Sequence, residues 1–127
     1  MKQSAAVAAL ALVVAAAVLL PVARVQAIET RPSKYTYQED VNSDFVKGLG
    51  RFAVTVYKLA HELTSMSYAS TSQCWSVPSN EGVEYWMVIT VQDGTGAYGY
   101  GRYVCIVWGI PGSESKTWKL LSCNSTS

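Results

Sequence analysis

The spacing of apolar residues changes once along this chain, and that change limits what it can fold into. Leu49, Phe52, Ala53, Val56, Leu59, Ala60 and Leu63 recur at the spacing that lines one face of a helix. From Ser65 onward the spacing falls to two. "MSYASTSQCWSV" (66–77), "VEYWMVITVQ" (83–92), "RYVCIVWGI" (102–110) and "KTWKLLSC" (116–123) each read as a strand, with the third and second richest in β-branched and aromatic residues. The connections carry turn chemistry. They are Pro78-Ser79-Asn80-Glu81-Gly82, a Gly- and Tyr-rich link from Asp93 through Gly101, and Pro111-Gly112-Ser113-Glu114-Ser115. One helix followed by four strands on short turns predicts an α+β domain, an antiparallel meander with one face on the helix. Ser43 or Asp44 is placed to cap the helix, which is expected to run to about Thr64.

The ends of the chain read differently. Residues 1–27 have the form of a secretory signal peptide: Lys2, an apolar run from Ala5 to Leu20, Pro21, then Val25-Gln26-Ala27 at the cleavage position. The run is short of the ~20 apolar residues that a membrane span needs, although an uncleaved anchor is the alternative. Residues 28–42, "IETRPSKYTYQEDVN", form a polar N-terminal arm whose Tyr35-Thr36-Tyr37 alternation allows a first edge strand. Residues 43–123 then make up the domain and 124–127 a C-terminal tail. Asn124-Ser125-Thr126 is a formal glycosylation sequon close to the chain end.

Without Lys2 and Arg24, the ten basic residues become eight against nine acidic ones, so no basic stripe remains. That argues against nucleic acid and against electrostatic binding to a membrane once the leader is gone. Catalytic apparatus is equally thin. Gly94-Thr95-Gly96-Ala97-Tyr98-Gly99 has the letters of a dinucleotide loop, but a strand follows it where a helix N-terminus would have to receive the phosphates. His61 is the only histidine, and no cysteine precedes a helix where its thiolate would be stabilised. One His and scattered Cys lack ligand spacing, so no metal or other cofactor is expected and no catalytic residue is assigned.

Cys74, Cys105 and Cys123 remain after the leader. Export favours disulfides, and the turn centred near Glu114 sets Cys105 opposite Cys123 on neighbouring strands, close to disulfide geometry. Cys74 is then unpaired or joins two chains. Three buried reduced thiols are the alternative.

Leu49-Gly50-Arg51-Phe52-Ala53-Val54 resembles the LARFAV element of plant cystatins, inhibitors of papain-like cysteine proteases. Gly82 with "VEYWMVITVQDG", then "VCIVWGIP" with Val107, Trp108 and Pro111, then Trp118 and Leu121, follow the order of the family's strands. The likeness covers about residues 36–123. It implies one long helix on a curved antiparallel sheet of four to five strands, and inhibition without chemistry. An N-terminal arm and two hairpin loops would enter the protease cleft together as a reversible wedge. Carried over, the loops are Pro78, Ser79, Asn80, Glu81 and Gly82, and Pro111 with Gly112.

The contacts depart from the family's pattern at all three places. Only Gly82 remains of the first loop's Q-x-V-x-G, Gly112 stands where a Trp is usual, and the arm contains no Gly. Two functions follow. One is a secreted inhibitor of papain-like proteases in plant defence, acting in the apoplast or the secretory lumen as a monomer or a strand-exchanged dimer. The other is a non-inhibitory secreted module of the same fold that has lost the wedge contacts and binds another protein partner, its candidate surfaces including the Gly94–Gly101 loop.

Overall fold

The computed structural model describes residues 30–94, 97–113 and 115–126; the leader reading falls on residues 1–29, outside them. The elements run β1 (Tyr37–Gln38), α1 (Asp44–His61), β2 (Ser67–Ser79), β3 (Gly82–Gln92), β4 (Tyr100–Gly109) and β5 (Lys119–Ser125). The strands form one antiparallel sheet in chain order, β1-β2-β3-β4-β5, and α1 packs on it.

Ser43 caps α1 through a hydrogen bond from the Val46 N–H to its Oγ (3.1 Å). The helix ends earlier than its apolar spacing suggests. Glu62 takes the left-handed conformation (φ 55°), and the N–H groups of Glu62 and Leu63 close back on Leu59 O and Lys58 O. Leu59 and Leu63, which the spacing assigns to the buried stripe, are exposed. The buried face is Val46, Leu49, Gly50, Ala53 and Val54. Gly50 is required by contact: a Cβ there would sit 2.4 Å from Cε1 of Tyr68, whose ring lies against the helix.

Strand boundaries differ from the sequence reading at three places, one being β4, which takes in Tyr100 and Gly101 from the supposed link. Pro78 and Ser79 belong to β2, paired with Val83 and Gly82, so the first connection is Asn80-Glu81 alone. Beside the hydrogen-bonded pair that closes a two-residue turn, the N–H that Pro78 lacks would point away from β3, so its absence costs no bond there. At the other end, residues 115–117 form a 3₁₀ turn, and β5 takes in Asn124 and Ser125 from the supposed tail.

The sheet is also packed on both faces, where one was expected. Tyr85, Met87, Ile89, Val91, Cys105 and Val107 face α1, whereas Trp86 and Val88 form a second buried cluster with Tyr35 of the arm. Five consecutive buried residues, Tyr85 to Ile89, are what a strand covered on both sides carries. Cys105 and Cys123 are opposite in register and disulfide-bonded, and Cys74 is free and buried. Burial, with the Glu39 carboxylate nearby, pushes the Cys74 thiol up to about 12, so it is held protonated inside the core.

Candidate functional site

Three segments meet at one end of the sheet because of register. Val83 pairs with Gly109, so the turn before β3 and the turn after β4 lie side by side. Tyr37 pairs with Ser76 antiparallel, so the arm ahead of β1 runs toward the same end. Gly94 and Gly99 lie at the opposite end, where the Asp93 and Gly94 N–H groups donate to Gly99 O ahead of β4.

The first turn is tight and conformationally costly. Asn80 (φ 49°) and Glu81 (φ 66°) are both left-handed, the pattern of a two-residue type I′ hairpin, in which Gly is the usual second residue. Its geometry is imposed from outside. Trp108 Nε1 donates to Ser79 O (2.7 Å), and the indole lies over Gly82, where a Cβ would come within 2.5 Å of the ring. Gly82 is thus present for close approach, and Trp108 is the brace.

The second turn is set by its own residues. Ser113 N–H donates to Ile110 O (3.0 Å) around Pro111 and Gly112, the latter at φ 77°, which is a type II arrangement. Ser113 Oγ accepts from Trp118 Nε1 (3.2 Å), and Trp118 stands edge-on to Phe45 and Phe52 of α1. The helix motif reaches the candidate edge only through this contact. Leu49, Gly50, Ala53 and Val54 are core, and Arg51 is exposed beside the Tyr68 ring.

The arm is the third member. Arg31 stacks over Trp75 (3.8 Å) and donates to Tyr35 O. Tyr35 is 1% exposed, and its hydroxyl donates to Glu84 Oε1 (2.9 Å). Burial, then the bond and charge of Glu84, push Tyr35 up to about 12. Burial alone would raise the Glu84 carboxyl, but hydrogen bonds from Tyr35 and Ser79 and the Lys34 ammonium outweigh it and hold it below its ordinary 4.5. A recess of about 280 Å³ opens beside the first turn, lined by Ser79, Asn80, Glu84, Trp108, Lys119 and Leu121.

Structure therefore brings Ser79, Asn80, Glu81, Gly82, Pro111 and Gly112 to one edge, with Pro78 one pair further back in the sheet. Sequence reasoning left out Tyr35, Glu84, and the bracing roles of Trp108 and Trp118. Its available signal was a Trp on each side of the second turn, at 108 and 118, and a charged Glu84 near the head of a mostly apolar strand. His61 stacks on Tyr57 (4.0 Å) at the far end of α1, away from these residues. Among the described residues no group of three His, Cys, Asp or Glu could hold a metal, and no helix is long and apolar enough to cross a membrane. Comparison with protein-family models, curated proteins and solved structures found no match.

Proposed function

We propose that this is a secreted, cystatin-like inhibitor of papain-like cysteine proteases, acting as a reversible, non-covalent wedge. The observation that carries the reading is the meeting of the arm, the Asn80-Glu81 turn and the Pro111-Gly112 turn at one end of the sheet. Each is ordered before any partner arrives, by Glu84, Trp108 and the Ile110–Ser113 turn respectively. Preordering keeps the entropic cost of association low, which a wedge without covalent chemistry needs. Ile110 adds an apolar side chain, 44% exposed, at the second turn. A disulfide between β4 and β5 agrees with an oxidising compartment.

The second reading, a cystatin-fold module for a different protein partner, is favoured by one feature. The first turn presents exposed Asn80 and Glu81, and the second presents Gly112, so the edge lacks a large aromatic anchor at either tip. Titration of papain separates the two. The inhibitor reading expects residual activity to fall with a Kd at or below about 1 μM. Full papain activity in the presence of tens of micromolar protein, on the order of −6 kcal/mol or weaker, would remove it for that enzyme.

A further inference from the structure

Ahead of β1 the arm is held by side chains, and two of their contacts run through one carboxylate. Two backbone pairs, Tyr37 with Ser76 and Gln38 with Trp75, join β1 to the sheet, and just after them the Glu39 N–H donates to Cys74 O (2.8 Å) and Ser76 Oγ to Glu39 Oε2 (2.7 Å). Ahead of them, Tyr35 and Lys34 both reach Glu84: the Tyr35 hydroxyl bonds Oε1 at 2.9 Å, and Lys34 Nζ lies 3.5 Å from the same oxygen. The other oxygen, Oε2, accepts from Ser79 Oγ at 3.2 Å. Ser79 closes the first turn, and its carbonyl takes the Trp108 indole N–H. The Glu84 side chain is 17% exposed, which strengthens its bonds relative to those of a surface carboxylate. The other charge on the same recess is Lys119, which lies above the Trp108 ring (5.8 Å).

We propose that Glu84 is a positioning residue. Its carboxylate latches the arm to the first hairpin turn and so sets the three-part edge offered to a partner. The latch stands on these contacts alone, and its consequence for a partner rests on the wedge reading. A carboxamide of the same size keeps one acceptor oxygen where Tyr35 and Ser79 need two, and it drops the attraction to Lys34.

Limited trypsin digestion tests this directly. Pro32 protects the bond after Arg31, so Lys34–Tyr35 is the arm's cleavable site. Tyr35 is buried, and the arm must peel away before that bond can enter a protease. Glu84→Gln is expected to speed cleavage after Lys34 about tenfold, while cleavage after Lys58 and Arg102 and the thermal midpoint stay close to those of the unaltered protein. An unchanged rate after Lys34 overturns the latch. Should Glu84→Gln be cut throughout or lose its fold, Tyr35→Phe decides: it keeps the ring and drops only the hydroxyl, and it must also speed cleavage after Lys34.

Affinity of the same variants for papain tests the consequence. Weakening in step with arm release supports a three-part edge, and an unchanged affinity with a released arm overturns that part. If the unaltered protein does not bind papain at all, the inhibitor reading fails while the digestion result still decides the latch.

Discussion

The two hairpin turns at the candidate edge reach similar sharpness by opposite routes. Pro111-Gly112 takes its backbone shape from its own residues: Pro presets its φ, Gly accepts φ 77°, and the Ile110–Ser113 bond closes the turn, with Trp118 reaching only the Ser113 hydroxyl. Asn80-Glu81 holds two non-glycine residues in the left-handed region, and Trp108, twenty-seven positions or more along the chain, pins its stem. The first turn is therefore as good as its tertiary support, whereas the second is as good as its local sequence. Loss of the fold's packing should blunt the first before the second.

The largest effect expected from this contrast is at Trp108. Trp108→Ala removes a half-buried indole and the indole N–H bond to Ser79 O, which should cost about 2–3 kcal/mol by chemical denaturation. Gly82→Ala forces a Cβ to within 2.5 Å of the same ring and 2.8 Å of Gly109 O, an overpacking cost of about 1–3 kcal/mol. In a double-mutant cycle the second cost should shrink once the indole is gone, and only the part due to the Gly109 carbonyl should remain. Strict additivity would mean that the ring does not brace this stem.

At the second turn the cost should be purely local. Gly112 has open space around it, with no atom within 4 Å of a built Cβ, yet its φ is 77°. Gly112→Ala should thus cost about 1–2 kcal/mol from backbone strain without disturbing a neighbour. The same strain opposes Gly112→Trp, so placing a large anchor at this turn would require reshaping the turn as well. A cost near zero would show that the turn relaxes to another type.

Replacing Glu81 should have the opposite sign. Glu81→Gly removes a left-handed non-glycine residue at φ 66° and should stabilise by about 1 kcal/mol, raising the thermal midpoint by about 4–8 °C for a domain this size. If stability falls instead, the carboxylate makes a compensating interaction at the tip, and the turn is not held under strain.

The two regions also differ in how far they could be read from residues alone. The helix, the four long strands, the meander order and the Cys105–Cys123 register follow from period, turn letters and the count between the cysteines. The early end of α1 did not, because the Glu62 cap competes with apolar spacing that continues to Leu63. Pro78 reads as a loop residue until the register shows that the N–H it lacks would point off the sheet edge. The second packed face was visible in "VEYWMVITVQ", a run without polar alternation, but its cover by Tyr35 was not. Nothing local links residue 35 to residue 84. The edge's turns were thus legible and its supports were not, since a brace depends on which distant side chain arrives.

The smallest effect expected is a pH window on the arm, which the second turn should not share. Glu84 is held below its ordinary 4.5, so its contribution is fully present above 4.5 and is lost as pH falls through the depressed value. Tyr35 is raised from 10 to about 12, so its protonated form is the one favoured by the fold; that contribution is complete below pH 10 and is lost as pH rises through about 12. Lys34 and Lys119 are the other charged side chains beside Glu84. Arm docking should hold level from about pH 5 to 10 and fall away beyond each end. Ring resonances of Tyr35 followed by NMR across that span would report both limits, with Ile110 methyl resonances as the internal comparison. A Tyr35 ring that titrates at its ordinary 10 would show that the arm is not held against Glu84; an Ile110 signal that moves in step with the Tyr35 ring would show that the arm and the second turn respond as one unit, and the division between a braced and a locally shaped turn would fail.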